Sequence, residues 1–226
     1  MPIPNPVRLF HITAIANLPA ICATHALVCK NGGAAVGVAY QNIAHTNMQV
    51  RRAVKAAPNP PGGTLHDYVP FYFAPRSPML SAIHNRKVDG CELRQEDIAH
   101  LETSVDRVTG NGEEFVFYDR NATLAFSTPY TDLAKLDAVA WDVLTEEPRL
   151  DGFCKYFMNR HENERYVDRM EKRQAEFLVR HHVPLQCFVR IGVVSTAKAA
   201  QVQSILAAAG VPLPVVVQPD WYFLGQ

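Results

Sequence analysis

The segment that most constrains the fold lies near the end of the chain, where a strand pattern, a helix pattern and a second strand pattern follow one another. Residues 186–195 (QCFVRIGVVS) and 214–223 (PVVVQPDWYF) are rich in the β-branched and aromatic residues that favour strands. The Ala-rich residues 197–210 between them have Ser195 or Thr196 as a helix cap and Gly210 as a stop. This order predicts a protein of mixed α+β class.

Composition sets limits on the class of protein. Of 226 residues, 48% are hydrophobic and 19% are charged, which is typical of a soluble globular protein, and we expect residues 1–226 to form a single domain. No run reaches the roughly 18 apolar residues of a membrane helix, and the start, MPIPNPVRLFHIT, lacks signal-peptide features. We therefore expect a cytoplasmic protein with no membrane partner. Lys and Arg total 22, as do Asp and Glu, so any nucleic-acid binding must be local.

The cysteines and histidines argue against a metal site. The five cysteines are odd in number, scattered and never spaced as C-x-x-C, so we expect free, buried thiols. Nine histidines are present, but HENER at 161–165 lacks the second histidine of H-E-x-x-H. The sequence therefore predicts no metal.

The first third of the chain alternates between strand, helix and loop patterns. RLFHIT predicts a strand, followed by a short helix over residues 16–27 with Thr13 as a possible cap. KNGGAAVG at 30–37 predicts a flexible loop within a mobile segment, residues 30–64. Inside that segment, residues 42–56 predict a helix with one apolar face formed by Ile43, Val50 and Val54.

The middle of the chain contributes further strands and helices. DYVPFYFAP at 67–75 predicts a buried strand, and Ser77 followed by Pro78 predicts the start of a helix. Residues 97–104 and 113–120 predict two more strands. Residues 132–144 have helical periodicity, and the polar stretch 145–174 is expected to be helical in its second half.

Three polar residues stand out, but their local patterns do not assign a function. Glu176 lies between the charged segment EKRQA and the apolar run FLV. This position suits an ion-pair partner, a helix cap or a catalytic residue. Arg52 follows Arg51 on the predicted helix, where solvent exposure is the more common outcome. His11 in its strand is more often a hydrogen-bonded core residue than a catalyst. These residues alone do not decide whether the protein is an enzyme.

Several longer segments resemble a known family. FHITAIANLPAI, HDYVPFYFAPRSPML, FVFYDR, RQAEFLV and the closing DWYF occur in the order and approximate spacing of the DarT family of DNA ADP-ribosyltransferases. The similarity extends over nearly the whole chain. VPFYFAPRSPML together with RQAEFLV is a far more specific signature than any single short motif.

The resemblance implies a fold, a reaction and a partner. The fold would be the diphtheria-toxin/PARP-like ADP-ribosyltransferase fold, a split mixed β-sheet with surrounding helices. The reaction would transfer ADP-ribose from NAD, without a metal, to a thymine base in single-stranded DNA. Members of the family are toxins of toxin-antitoxin pairs, with a possible role in phage defence. Their antitoxin, DarG, has a macrodomain that removes the modification.

The resemblance also assigns residues to roles. The catalytic glutamate falls on Glu176 and the catalytic arginine, which also contacts NAD, on Arg52. The remaining expected NAD contacts fall on His11, Ile12, Thr13, Ala20, Val28, Tyr72, Ser77 and Met79. Residues between Tyr118 and Glu176 are expected to contact DNA, and Asn121 stands where some relatives have histidine, so the preferred flanking bases stay open.

These residue types suit the chemistry that the resemblance implies. Glu176 would accept a hydrogen bond from the ribose 2′-hydroxyl and face the positive charge of an oxocarbenium-like transition state. A guanidinium stays protonated, so Arg52 would hold a thymine carbonyl oxygen or the NAD phosphates rather than act as a base.

Other functions remain open at this point. The acceptor could be guanine, RNA or a protein side chain, because acceptor identity rests on family analogy alone. The chain could also be a non-catalytic module that binds single strands through Arg51, Arg52 and Lys55, although Glu176 would repel phosphate. A purely structural protein would leave the pairing of Arg52 with Glu176 accidental.

Overall fold

A computed structural model describes residues 2–110, 112–146 and 158–223. The strands are β1 (Arg8–Ala14), β2 (Ala26–Val28), β3 (Tyr68–Tyr72), β4 (Ile98–Ser104), β5 (Phe115–Tyr118), β6 (Pro129–Tyr130), β7 (Glu176–Arg180), β8 (His182–Pro184), β9 (Arg190–Val193) and β10 (Val215–Val217). The α-helices are α1 (Leu18–Ala23), α2 (Lys30–Ala35), α3 (Thr46–Val54), α4 (Pro78–His84), α5 (Val105–Thr109), α6 (Trp141–Leu144), α7 (Arg169–Lys172) and α8 (Thr196–Ala208).

Eight strands form one mixed sheet in the order β10-β9-β4-β1-β3-β7-β5-β6, and β2 pairs with β8 in a second, two-stranded sheet. Every neighbouring pair in the large sheet is antiparallel except β9 and β10, which are parallel and joined by α8. Ser195 caps α8 by accepting from the Lys198 N–H, and Gly210 follows the helix with a φ of 66°. The strand-helix-strand prediction for the end of the chain is therefore confirmed.

Strand alternation sends side chains to opposite faces of the large sheet. On one face, Phe71, Phe117 and Phe177 join the largest apolar cluster, and the rings of Phe117 and Phe177 stack 6.1 Å apart. Helices α1 and α8 cover that face with residues such as Leu18 and Val202. The opposite face carries smaller apolar clusters and the polar residues described below.

The sheet splits between β1 and β3, which pair at a single position, Phe10 with Tyr72. The Pro70 carbonyl points toward β1 and accepts a hydrogen bond from the His11 ring at 2.8 Å. In a strand, the N–H and C=O groups of one residue point to the same neighbour. Pro70 has no N–H, so it cannot complete the ladder with β1. The two strands therefore form no further ladder pair beyond this one, and the sheet is split at this point.

Two expectations for the first third of the chain were wrong. KNGGAAVG is not an irregular loop, because Lys30–Ala35 form α2, capped by the Cys29 thiol, which accepts from the Gly32 N–H at 3.2 Å. Thr13 does not cap α1, because it lies in β1, and α1 begins only after a 3₁₀ turn over Ile15–Asn17. The expected mobility of residues 30–64 stays a prediction.

Helix α3 occurs where it was predicted, but its apolar face is not buried. Val50 is 64% exposed and Val54 is 78% exposed, while Ile43 lies before the helix and packs separately. The side-chain hydrogen bonds from α3 to the rest of the protein come from Gln49 and Arg52, which a rule based on apolar spacing cannot detect.

Later segments were predicted in part. The helix expected over 132–144 is divided into a 3₁₀ segment, Leu133–Ala138, and α6, with the Trp141 indole donating to the Leu136 carbonyl at 2.7 Å. In the stretch 145–174, residues 147–157 lie outside the described residues, and the described part has a 3₁₀ turn and the short α7.

Cys22, Cys29 and Cys187 are buried free thiols as expected, whereas Cys91 is half-buried and Cys154 lies outside the described residues. Within the part of the chain that the structure describes, no helix has the length and apolar character needed to span a membrane.

A close approach in the sheet gives a testable prediction about stability. Gly192 in β9 lies against Trp221, and a Cβ at position 192 would overlap the indole ring. Gly192→Ala should lower the free energy of unfolding by about 1–3 kcal/mol, because overpacking forces side chains off their preferred rotamers. Urea unfolding would measure this change. In the Gly192→Ala, Trp221→Leu double variant, the loss should be smaller than the sum of the two single losses, and strict additivity would contradict the overlap.

Candidate active site

A buried ion pair lies at the centre of the candidate site. Glu176 is the first residue of β7, between β3 and β5, and its Oε2 accepts from Arg52 Nη1 at 2.8 Å. The side chains are 3% and 12% exposed, respectively. Oε1 of Glu176 accepts from the Ala122 N–H at 3.4 Å. Burying a carboxylate is costly unless it is paired, so these contacts explain how Glu176 is tolerated there.

Four strands align a row of side chains with Glu176. Phe10 is opposite Tyr72, Tyr72 is opposite Glu176, and Glu176 is opposite Tyr118. Residues directly opposite one another lie on the same face of a sheet. The row therefore places two tyrosines on either side of the carboxylate.

The environment keeps both tyrosines protonated. Burial and the charge of Glu176 raise the pKa of Tyr72 well above its ordinary value. Burial, Glu176 and Tyr68 together raise the pKa of Tyr118 to about 12. Each ring therefore presents a neutral hydroxyl that can donate a hydrogen bond.

His11 lies at the mouth of the split between β1 and β3. Its Nδ1 donates to the Pro70 carbonyl, which leaves Nε2 of the neutral ring as an acceptor. Burial lowers the pKa of His11 to about 4, against the opposing effect of the Pro70 bond. At neutral pH His11 is therefore an uncharged residue of fixed tautomer.

Ile12 and Thr13 follow His11 in β1, on the same side of the split between β1 and β3. Ile12 is buried in the cluster that contains Phe10. Thr13 Oγ1 accepts from Asn17 Nδ2 at 3.0 Å, so the hydroxyl proton of Thr13 remains available to a ligand. Asn17 also bonds both backbone groups of Gln41, at 2.7 and 3.1 Å, which ties the segment before α3 to the end of β1.

The other expected contact residues are placed less directly. Ser77 caps α4 by accepting from the Leu80 N–H at 3.1 Å, and Met79 packs in the same cluster as Phe10. Ala20 lies in α1 and Val28 lies in β2, opposite His182. Among the described residues, no hydrogen bond joins either of these two to the Arg52–Glu176 pair.

Sequence reasoning missed Tyr118, Gln49 and His66. Tyr118 ends the strand FVFY, but only the strand register shows that it is opposite Glu176. Gln49 Oε1 accepts from Lys30 Nζ at 2.8 Å and lies 3.1 Å from His66 Nε2. No sequence motif marks these residues, because their contacts join separate elements.

A cavity of ≈ 600 Å³ lies next to this row, at the end of β3. Its lining includes the aromatic rings of Phe73, Trp141 and Trp221 and the cations Arg8 and Arg76. Arg76 is buried, and its Nε donates to the Tyr222 carbonyl at 3.1 Å. No carboxylate pairs with Arg76 among the residues that the structure describes. The cavity thus combines stacking surfaces with the cation of Arg76, and its lining also includes the carboxylates of Glu146 and Asp220.

Within residues 2–110, 112–146 and 158–223, no group of three or more His, Cys, Asp or Glu side chains could hold a metal ion. The polar groups of the site are instead suited to an organic ligand. Nη2 of Arg52 is buried and has no hydrogen-bond partner in the described part of the chain. A buried donor of this kind requires an acceptor, which a ligand oxygen would supply.

Comparison with known proteins identifies the family. A family model described as DarT, an ssDNA thymidine ADP-ribosyltransferase, matches residues 10–223. A DNA ADP-ribosyl transferase of Thermus aquaticus is 36% identical over 223 residues, covering 97% of this chain and 90% of that relative. The chain belongs to the DarT family.

Solved structures agree with this assignment. DarT of Thermus sp. 2.9 in complex with ADP-ribosylated ssDNA matches with a TM-score of 0.85 and 33% identity, covering 98% of this chain and 99% of that chain. Its NAD⁺ complex matches with a TM-score of 0.82 and 32% identity, covering 98% and 100%. Thermosipho africanus DarTG in complex with ADP-ribose shares the fold, with a TM-score of 0.72 at 18% identity over 96% of this chain and 51% of that one. The expected ADP-ribosyltransferase fold is confirmed.

The buried histidines of this DarT protein predict how its stability depends on pH. Burial lowers the pKa values of His11 and His100 from 6.5 to about 4. Between these values the unfolded chain binds more protons than the folded protein, so the free energy of unfolding should fall as the pH falls. Each histidine contributes at most about 1.4 kcal/mol per pH unit. His100→Asn, which removes the titrating ring, should weaken this dependence.

Urea unfolding across this pH range would measure the effect. The exposed His161 gives a matched control, because His161→Asn should leave the pH dependence of stability as in the unchanged protein. An unaltered slope in His100→Asn would show that His100 does not contribute.

Proposed function

We propose that Arg52 and Glu176 catalyse the transfer of ADP-ribose from NAD to a thymine base in single-stranded DNA. The observation that carries the proposal is the buried Arg52–Glu176 pair in line with Tyr72 and Tyr118. NAD supplies the ADP-ribosyl group, with nicotinamide as the leaving group. The DarT relatives bound to NAD⁺ and to ADP-ribosylated ssDNA support the choice of both substrates.

Glu176 is proposed to stabilise the transition state of the transfer. Its carboxylate accepts a hydrogen bond from a ribose hydroxyl and faces the positive charge that develops on the sugar as the bond to nicotinamide breaks. This attraction is stronger in the transition state than in the bound substrate, so it raises the rate more than the affinity. The neutral hydroxyls of Tyr72 and Tyr118 do not compete for that charge.

Arg52 supplies the positive partner. Its Nη1 holds Glu176, while its buried Nη2 has a free donor for a substrate oxygen. A thymine carbonyl oxygen or an NAD phosphate oxygen satisfies this donor, and either contact stabilises negative charge. The thymine nitrogen loses its proton as it attacks the sugar, and Glu176 or water accepts that proton.

The remaining NAD contacts are proposed for the residues of the split. His11 offers an acceptor at Nε2 and Thr13 offers a hydroxyl proton, while Ile12 packs behind them. Tyr72 and Met79 lie with Ile12 on the face of the sheet that carries Glu176. Ser77, Ala20 and Val28 are proposed as NAD contacts on the basis of family similarity alone.

The single strand is proposed to approach through the cavity beside Tyr72. Arg76 offers a cation for a phosphate, and the aromatic walls offer stacking surfaces for bases. A single strand can present an unpaired base without the cost of opening a duplex. Contacts from residues 118–175, including Asn121, remain part of the proposal.

The biological setting is proposed from the family. DarTG from Thermosipho africanus shares this fold, and the family resemblance implies a macrodomain antitoxin resembling DarG. We propose the same pairing for this chain, with a cytoplasmic location, a single-domain organisation and a possible role against phage.

Removing the charge of Glu176 tests the proposed reaction. Glu176→Gln keeps the size of the side chain and should lower kcat by about 10²–10³-fold, because the transition state loses its electrostatic partner. NAD binding should change much less. Mass spectrometry of a thymine-containing single-stranded oligonucleotide, incubated with protein and NAD, would count the ADP-ribose groups added.

Matched acceptors separate the proposal from the alternatives. A thymine-free oligonucleotide and an RNA of the same length should gain nothing. A gain on either would replace thymine as the acceptor, and transfer at the unchanged rate by Glu176→Gln would remove Glu176 from the mechanism. If the unchanged protein modified none of them and did not bind NAD, the binding-module function would remain.

Arg52→Lys tests the two donors of the guanidinium. Lysine keeps the charge but cannot hold Glu176 and a substrate oxygen in fixed directions, so kcat/KM should fall by about 10²-fold. Steady-state kinetics on the same oligonucleotide would measure the loss, with Arg51→Lys as the matched control on the exposed neighbour. Full activity in Arg52→Lys would exclude the two-donor role.

A further inference from the structure

Helix α3 carries Arg52 without being packed into the core. None of its nine residues is fully buried, although the Arg52 side chain is only 12% exposed, and Val50 and Val54 face solvent. Helices of this length are only marginally stable in water and usually depend on an apolar face buried against the protein. Specific polar contacts must therefore define where α3 lies.

Gln49 makes the second of these contacts. It lies three residues before Arg52, so both side chains project from the same side of the helix. The Gln49 Oε1 atom lies 2.8 Å from Lys30 Nζ and 3.1 Å from His66 Nε2, and it accepts hydrogen bonds from both. One carboxamide oxygen thus connects α3 to two other elements.

Both donors lie in segments with further contacts to the protein, although the Lys30 side chain is exposed. His66 is buried in the 3₁₀ segment Leu65–Asp67, which leads directly into β3 and Tyr72. Lys30 begins α2, and the next residue, Asn31, donates to Asp67 at 2.8 Å. Gln49 therefore connects α3 to the residues just before β3, the strand in which Tyr72 is opposite Glu176.

The chemistry of the contact favours an uncharged acceptor. Burial and the charges of Lys30 and Arg52 lower the pKa of His66, so its ring is neutral at pH 7 and donates through Nε2–H. A carboxylate at position 49 would accept the same bonds but would also attract Arg52, three residues away. The neutral carboxamide of Gln49 holds the helix without competing with Glu176 for the guanidinium.

We propose that Gln49 is a positioning residue whose side-chain oxygen, held by His66 and Lys30, sets the rotation of α3 that places Arg52 against Glu176. This inference rests on the proposed function of the Arg52–Glu176 pair. Gln49 does not touch the reacting atoms, and its effect reaches the reaction through Arg52.

Gln49→Met tests the inference, because methionine matches the length of glutamine but lacks the carboxamide oxygen. Displacing a catalytic group by about 1 Å can cost about 10²-fold in rate, so we expect kcat for thymine transfer to fall by about 10–100-fold. The KM for NAD and the melting temperature should change little, which a general loss of structure would not produce. Asn47→Leu, on the same helix at an exposed position, is the matched control and should keep normal kcat.

A double-variant cycle shows whether the effect passes through Arg52. In an Arg52→Lys background, Gln49→Met should lower kcat by less than about threefold, since the group it positions is already altered. His66→Phe, which removes the ring donor, should reproduce the loss and should not add to it. Unchanged kcat in Gln49→Met, or the same fold loss in both backgrounds, would overturn the inference. If the unchanged protein transfers no ADP-ribose, the proposed function fails instead.

Discussion

The Arg52–Glu176 ion pair is the interaction on which the arrangement of this protein depends. A carboxylate that is 3% exposed in the middle of an eight-stranded sheet is stable only with a counter-charge and further hydrogen bonds. The chain provides Arg52 from a separate helix and a backbone N–H from Ala122. Breaking such a pair by removing one partner is strongly destabilising. The position of α3 over the sheet and the charge state of the site are therefore coupled.

Burial keeps many of the surrounding groups neutral, and the pair contributes to this at His66, Tyr72 and Tyr118. His11 and His66 have lowered pKa values, and Tyr72 and Tyr118 have raised ones, so none of these four carries a charge at neutral pH. One carboxylate and one guanidinium then dominate the local field. An additional charge would screen or redirect the attraction between Glu176 and a developing positive charge.

Parts of the fold were predictable because local chemistry decides them. Ser77 and Ser195 cap helices where an oxygen precedes a helical pattern, and Gly210 ends α8 in the left-handed conformation that glycine adopts easily. The helix α2 was missed, because a cysteine thiol is an uncommon cap and Gly-Gly is unfavourable in helices. The apolar face assigned to α3 was wrong because periodicity does not show whether a partner surface exists.

The site was predictable only where family resemblance assigned residues, and the rest of it depends on contacts distant in sequence. Arg52 and Glu176 are separated by 124 positions. The placement of Tyr118 needs the register of β5 against β7, which the pattern FVFY leaves undetermined. Local patterns favoured solvent exposure for Arg52, and the structure buries it because the cost of an unpaired Glu176 outweighs the usual preference of arginine for water.

The balance of charges across the whole chain is consistent with a site of this kind. With 22 basic and 22 acidic side chains there is no long-range field to hold DNA, so attraction to phosphate must come from individual cations such as Arg76 in the adjacent cavity. A few phosphate contacts give weak binding and a shallow dependence on salt. Weak binding suits an enzyme that acts on successive bases, whereas a module that must remain on DNA needs more phosphate contacts.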